Sequence, residues 1–333
     1  MKPTVLPINQ SPFITSKLFV AYQCSIFQTA ERMPWFINKF HNIIQGYESR
    51  TLRYDHVHTD EWFCNEKAAH KQYFLLGTEI LEYESVDIIA MIEKLISEGY
   101  YLAGNFNPYY ISTRKEYKNL DTNIPYFIYG FCSKRKEFLA LGNTLNERYS
   151  PYSILYDDYI QGLKHRNDKL MNFNFVKLNE DFKYNTNLNE IYNGTKDYLN
   201  SENSADKMKI AFNMPKYQYG IKCYHNFIAY VKFVQDFFGY IEPSHYQVFL
   251  EHHMLVQNRI QYLCSVGLIQ NKALLMDSKL ICDMAQDVRI LCTRYNQTHS
   301  YEIIGKIADK ALLIVDKEIS LLEDFLVEVK RNL

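Results

Sequence analysis

The chain has 333 residues, with 37 Lys and Arg against 38 Asp and Glu and a formal net charge of −1. That balance gives no overall basic field to hold a phosphate backbone or an anionic lipid surface, so neither a nucleic-acid nor a membrane partner is expected. With 47% hydrophobic and 23% charged residues, the composition is that of a soluble globular chain able to bury a large core, and its length favours two domains.

The opening run Met1-Lys2-Pro3-Thr4-Val5-Leu6-Pro7 has no basic segment followed by an apolar core, so no secretory signal is expected. No apolar stretch approaches the ~18 residues of a membrane span. The cysteines at positions 24, 64, 132, 223, 264, 282 and 292 are odd in number, widely separated and never in a C-x-x-C spacing. Neither a zinc site nor a disulfide framework is expected, and a reducing cytoplasm is the natural location.

In chain order, the first element predicted is a helix opened by Cys24. Its apolar positions are Ile26, Phe27, Ala30, Met33, Ile37, Phe40, Ile43 and Ile44, Pro34 kinks or restarts it, and Gly46 stops it. A second helix runs from a Ser85 cap through Val86, Ile88, Ile89, Ile92, Leu95 and Ile96 to Gly99. Short aromatic and β-branched runs follow at 100–111, 126–132, 138–141 and 149–156, with Ser133-Lys134-Arg135-Lys136 as a hairpin turn. These predict an antiparallel sheet after helices.

From His165 to Lys207 the chain is rich in turn formers, among them Asn167-Asp168, Asn172, Asn174, Asn179-Glu180-Asp181 and Asn185-Thr186-Asn187, with room for a short helix over 188–199. Long helices are then predicted at 221–238, 245–266, 273–295 and 301–329. In the last, Ile304, Ile307, Ala308, Ala311, Val315, Leu322, Phe325 and Val329 form one apolar stripe, with Lys306, Asp309, Lys310, Asp316 and Lys317 largely off it. The organisation expected is an α+β domain at 1–163, a polar connecting segment at 164–204 and a helical bundle at 205–333.

Cys24 is the first candidate for chemistry. A thiol at a helix N-terminus feels the positive end of the helix dipole, which favours the nucleophilic thiolate. By position alone, packing is the simpler role for a lone cysteine. What raises it is the order of the whole first half. The Cys24 helix is followed by Gly99-Tyr100-Tyr101-Leu102, Asn107-Pro108-Tyr109-Tyr110-Ile111, Pro125-Tyr126-Phe127-Ile128-Tyr129-Gly130-Phe131 and Phe138-Leu139-Ala140-Leu141-Gly142-Asn143. This order resembles the butirosin biosynthesis protein H N-terminal family, papain-like cysteine-peptidase relatives of bacterial natural-product clusters. Tyr219-Gly220-Ile221, Leu250-Glu251-His252-His253-Met254 and Arg259-Ile260-Gln261-Tyr262-Leu263 look like the helical tail of such proteins.

The resemblance implies a papain-like fold in which the Cys helix packs on an antiparallel sheet carrying a His and then an Asp or Asn. It implies an amide-forming acyltransferase, with Cys24 taking an acyl group from an acyl or peptidyl carrier-protein thioester and passing it to a small amine. Transfer between sulfurs is close to thermoneutral and aminolysis is downhill, so no cofactor beyond a phosphopantetheine-borne substrate is implied.

The chain departs from the family pattern at the histidine. Where the His is expected it reads Asp121-Thr122-Asn123-Ile124-Pro125, and no histidine lies between His70 and His165. Asn123 is the polar occupant of that position, and Asn143 falls where the acidic partner is expected, as an orienting Asn would. Three readings follow. Cys24 works with a histidine from elsewhere, His56 or His58; it works without an intramolecular base; or the chain is a noncatalytic protein binding a metabolite or carrier protein. Hydrolysis by the same thiol, as a thioesterase or peptidase, is a further alternative.

Gln23 adjoins the thiol, whereas an oxyanion-hole Gln of papain-like enzymes lies several residues earlier, so the backbone N–H of Cys24 is the better donor. Glu251-His252-His253 is not read as a metal site, because adjacent helical histidines diverge by about 100° and H-E-x-x-H is absent. No phosphate-loop motif is present, and Asp157-Asp158 shows no burial pattern of a carboxylate dyad. Lys134-Arg135-Lys136 reads as a solvated turn that, beside a cleft, would meet the acidic helices of a carrier protein.

Overall fold

A computed structural model describes residues 2–46, 52–54, 69–82, 87–144, 149–203, 217–236 and 239–333. In chain order its strands are β1 (Thr4–Val5), β2 (Ile43–Gly46), β3 (Leu52–Tyr54), β4 (Ala69–Gly77), β5 (Tyr101–Phe106), β6 (Ile124–Cys132), β7 (Glu137–Asn143), β8 (Tyr149–Leu155), β9 (Leu170–Leu178) and β10 (Tyr217–Tyr219). Its helices are α1 (Leu18–Phe27), α2 (Met33–Ile37), α3 (Ile88–Ser97), α4 (Tyr156–Lys164), α5 (Leu188–Asn200), α6 (Lys222–Asp236), α7 (Pro243–Ser265), α8 (Ala273–Thr298) and α9 (Tyr301–Arg331). The chain is therefore mixed helix and antiparallel sheet, as its periodicity predicts. Among the described residues no helix is long and apolar enough to cross a membrane.

Two compact units emerge, Met1–Thr29 with Glu61–Lys183 and Ala30–Asp60 with Tyr184–Leu333. The boundary is not the one the sequence suggests. The chain leaves the first unit after α1, contributes α2 and the β2–β3 hairpin to the second, and returns.

The first unit is a sheet in the order β4-β9-β5-β6-β7-β8, with β1 added beside β6. One face packs on α3 and α4 through Ile88, Ile92, Ile96, Leu102, Phe106, Tyr126, Ile128, Phe138, Ala140, Ile154 and Tyr159. Side chains alternate along a strand, so Phe127 points to the other face, where Tyr22 of α1 stacks on it at 5.0 Å and 16°. Asp87, not Ser85, caps α3 by accepting from the Ala90 N–H at 2.9 Å; residues 83–86 lie outside the described residues. Gly99 closes that helix at φ +91°, the left-handed conformation expected of it.

The segment 164–204, expected to be a connector, holds the second strand of the sheet order and a helix. β9 pairs antiparallel with β4 from Ala69↔Leu178 to Gly77↔Leu170 and with β5 on its other side. Met171, Phe173 and Phe175 face the core, while Asn172 lies between them and accepts from the Asn105 N–H at 3.2 Å and from Arg166 Nη1 at 3.3 Å. Asn172 and Asn174, which resemble a loop by composition, are the polar half of an alternating strand.

β5 is threaded between β9 and β6 at Gly104. A Cβ there would stand 2.5 Å from the Asn172 backbone oxygen and 2.6 Å from the Tyr126 hydroxyl, which is itself held by Tyr159 at 2.6 Å. Gly104→Ala is expected to lower the unfolding free energy by ~1–3 kcal/mol through overpacking. Gly305→Ala, in α9 with nothing within 4 Å of its Cβ position, is expected to raise it by ~0.5–1 kcal/mol through lost glycine entropy. Urea titrations of the two variants check the opposite signs.

The second unit pairs β10, β2 and β3 in a small antiparallel sheet and builds the rest from helices. α9 buries the predicted stripe, Ile304, Ile307, Ala308, Ala311, Val315, Leu322, Phe325 and Val329, and with it Glu318. The long helices begin and end within a few residues of their predicted bounds.

Candidate functional site

α1 begins at Leu18, with Lys17 as an uncapped N-cap. The apolar run Leu18-Phe19-Val20-Ala21-Tyr22 starts the helix early, so Cys24 lies in its last turn rather than opening it. The Cys24 carbonyl accepts from the Gln28 N–H at 2.8 Å, and the chain then bends and restarts as α2 with Pro34 in its first turn. The positive end of the helix dipole is at Leu18, away from the thiol. Cys24 and Gln23 are buried, with Cys24 at 0% exposure. The Cys24 N–H lies inside the helix, where the preceding turn supplies its acceptor, so it is not the free oxyanion donor expected of a helix start.

Two hydroxyls stand beside Cys24, those of Ser25, the next residue in α1, and Tyr149, which interacts electrostatically with the thiol. Ser25 Oγ donates to the Ala21 carbonyl at 2.9 Å and stands 3.1 Å from the Tyr149 hydroxyl. Tyr149 opens β8 and is paired across the strands with Asn143, the last residue of β7. Tyr22 donates to the Pro125 carbonyl at 3.2 Å. The start of β6, the end of β7 and the start of β8 share one end of the antiparallel sheet, and that end brings Cys24, Ser25, Tyr149 and Asn143 together. Burial pushes the Tyr149 phenol up, against the lowering effect of its Ser25 hydrogen bond, and the Cys24 thiol adds to the rise. Burial does the same to Tyr22 and Tyr152. All three stay protonated near neutral pH and serve as donors, not bases.

Asn123 stands at the same end but faces another network. Its Nδ2 donates to Asp168 Oδ1 at 2.8 Å and its Oδ1 accepts from the Asn167 N–H at 3.4 Å. Its amide is thus held by the 167–168 loop and is not turned to the thiol. His56 and His58 lie outside the described residues. Of the first unit's described histidines, His70 is on β4 at the far edge of the sheet order, and His165 stacks on Tyr110 at 4.6 Å. Neither reaches Cys24.

The Lys134-Arg135-Lys136 turn joins β6 to β7 at the opposite end from Asn143. The length of β7, seven residues, separates the two by roughly 20 Å. Arg135 is spent on Glu137 at 2.6 Å. This turn does not flank Cys24. Asp158 is also structural, its Oδ2 accepting from Ser112 Oγ at 2.6 Å and from the Ser112 N–H at 3.1 Å.

Sequence reasoning missed Arg114. Its guanidinium is buried and bonded in a fork to Glu116, Nε to Oε2 at 3.1 Å and Nη2 to Oε1 at 3.3 Å. It lies over the Tyr152 ring at 5.3 Å, and Nη1 donates to the Tyr152 hydroxyl at 3.4 Å. Gly142 makes room for this, since a Cβ there would stand 3.1 Å from Arg114 Nη1 and 3.6 Å from the Tyr22 hydroxyl. Arg114 sits in an irregular segment where no periodicity marks an inward position, so only the unusual Gly142 at a strand end signals the close approach.

The arrangement offers fixed donors, from Arg114 and three phenols, and a packed thiol. None of the described cysteines, at positions 24, 132, 223, 264, 282 and 292, is in a disulfide. Among the described residues no group of three or more His, Cys, Asp or Glu is arranged to hold a metal ion. Glu251, His252 and His253 belong to the second unit and are buried on α7. No protein-family model matches the chain, and no curated protein matches it.

Proposed function

We propose that the chain is a noncatalytic relative of papain-like acyltransferases, one that binds an acylated carrier protein of bacterial secondary metabolism without turning it over. The observation that carries this reading is the placement of Cys24. A nucleophilic thiol needs access to the substrate carbonyl and a field or base that favours thiolate. Cys24 instead lies fully buried in the last turn of α1, beside phenols that hold their own protons. The layout of a thiol-bearing helix on an antiparallel sheet, with Asn143 on the neighbouring strand end, supports descent from the papain-like plan.

A second reading is favoured by that same gathering of Cys24, Ser25, Tyr149 and Asn143. In it Cys24 takes the acyl group from the carrier thioester, releasing the carrier thiol, and the incoming amine loses its own proton as it displaces Cys24 and leaves as the amide.

Intact-protein mass spectrometry of the whole chain with a panel of acyl carrier-protein thioesters, followed by a simple diamine, separates the two. The expected result is no covalent adduct, with wild type and Cys24→Ala binding the acylated carrier protein equally well by calorimetry. An adduct that requires Cys24 and disappears as amide forms would establish the transferase instead. Absence of both adduct and binding would remove both readings.

A further inference from the structure

The helical unit encloses a cluster of ionisable groups that the first unit's chemistry does not use. Glu318 of α9 has an exposure of 0%, and the α7 imidazoles of His252 and His253 are each 1% exposed. His252 Nε2 stands 3.4 Å from Glu318 Oε1 and His253 Nε2 stands 3.5 Å from Oε2. Tyr198 of α5 donates to Oε2 at 2.8 Å. The rings are held by stacking, His252 on Tyr198 at 4.6 Å and His253 on Tyr224 of α6 at 5.4 Å. Four helices therefore meet at one carboxylate.

The hydrogen bonds fix where protons sit. His253 Nδ1 lies 2.6 Å from the Phe249 carbonyl, which can only accept, so Nδ1 carries a hydrogen. Both ring nitrogens of His252 are buried with no hydrogen-bond partner among the described residues, Nε2 being the one turned to Glu318 Oε1 at 3.4 Å. Protonating His252 puts a hydrogen on both ring nitrogens, and the one on Nδ1 would be a buried imidazolium N–H with no acceptor.

We propose that His252, His253 and Glu318 form an acid-sensitive latch, in which uptake of one further proton from solvent at His252 releases the packing of α5, α6, α7 and α9. Burial holds the His252 imidazole below the usual histidine range, against the raising effect of Glu318, while His253 and Arg259 add to the lowering. Burial alone would raise the Glu318 carboxyl, but the charge of His253 and polar contacts with both imidazoles outweigh it and hold it below the carboxylate range. The other ionisable groups at hand are Tyr198 and buried Asp197 on α5, Tyr224 on α6, and buried Glu251 and Arg259 on α7. From α8, Arg289 reaches Gln247 at 3.5 Å, and Gln247 in turn bonds Glu251 at 2.9 Å.

The sign follows from linkage. A histidine neutral in the fold and free to charge when unfolded leaves stability intact above the unfolded value of ~6.5 and drains it below, by up to about tenfold in the folding constant per pH unit. Glu318 acts later, its contribution being lost only as pH falls below the ordinary carboxylate value of ~4.3. The two windows are separate.

Trp35, in α2 of the same unit, reports unfolding once Trp62 is replaced by Phe. In that background, the urea midpoint is expected to hold above about pH 6.5 and to fall between there and pH 5, and His252→Gln is expected to abolish the fall. An unchanged pH slope in His252→Gln would overturn the latch. An independent reading uses the unsubstituted chain, so it stands whether or not the variant folds. By NMR the His252 ring is expected to remain neutral until the Trp35 transition, and a reversible titration near pH 6.5 in the folded chain would equally overturn it.

Discussion

Glu116→Ala is expected to cost the sheet unit about 3–5 kcal/mol, because it strands the Arg114 charge without its counter-ion. The Arg114 side chain is 1% exposed and that of Glu116 10%, with two parallel N–H···O bonds between them. Solvent screening is therefore small. What remains for the guanidinium is the Tyr152 hydroxyl at 3.4 Å and the face of its ring. These are worth far less than a carboxylate when desolvated. Replacing both partners by apolar residues, Arg114→Met with Glu116→Leu, is expected to recover most of the loss, since removing a buried pair is often neutral where breaking one is not. Calorimetry of wild type, single and double variants gives the free energies. Hydrogen exchange of peptides from β7 and β8 assigns the loss to this unit. A single-variant loss below about 1 kcal/mol, the range of an exposed pair, would mean that water enters the cluster.

The same change bears on the thiol. Arg114 and the Tyr22 hydroxyl converge on the space that Gly142 leaves open, and Tyr22 is two residues before Cys24 in α1. Loosening Arg114 in Glu116→Ala is expected to speed maleimide labelling of Cys24, read by peptide mass mapping. Unchanged labelling would show that α1 is held without Arg114, by its stack on Phe127 and the hydrogen bonds of Tyr22 and Ser25.

How much of this was legible depends on the kind of signal each residue leaves. The four long C-terminal helices were legible because a stripe repeated over many turns fixes period and phase together. The β6–β7 hairpin was legible because a polar turn separates two aromatic runs. β9 was hidden because asparagine is a turn former by composition, while the alternation of Met171, Asn172, Phe173, Asn174 and Phe175 is the period of a half-buried strand. α1 starts earlier than a helix-opening Cys24 predicts, because the apolar residues at 18–22 already form its first turns. The excursion of 30–60 into the second unit leaves no local mark at all, since it is set by long-range pairing such as Gln218↔Gln45. Glu318 did leave a mark. It falls inside the apolar stripe between Val315 and Leu322, and a lone acid in such a stripe calls for a buried partner, here on α7.

Arg259→Met is expected to cost the helical unit ~2–5 kcal/mol, the sum of leaving one buried and one half-buried carbonyl acceptor without donors. Arg259 Nε donates to the Ile37 carbonyl at 3.0 Å and Nη2 to the Lys39 carbonyl at 2.8 Å. It thereby supplies the acceptors left over where α2 ends and Phe40 turns to φ +58°, and its charge lies at the negative end of that helix. Burial brings its guanidinium down to about 9, which leaves it charged at neutral pH. Arg259→Lys is expected to recover less than half of the loss, since a single ammonium on a flexible stem does not span two carbonyls as a planar fork does. Trp35 stands within α2 and packs edge-on against Phe40 at 6.0 Å, so in the Trp62→Phe background a red shift of its emission should precede global unfolding in Arg259→Met. If the emission and the urea midpoint both stay at wild-type values, water or a neighbouring donor has replaced the guanidinium, and the return of the chain from α2 into β2 does not depend on Arg259.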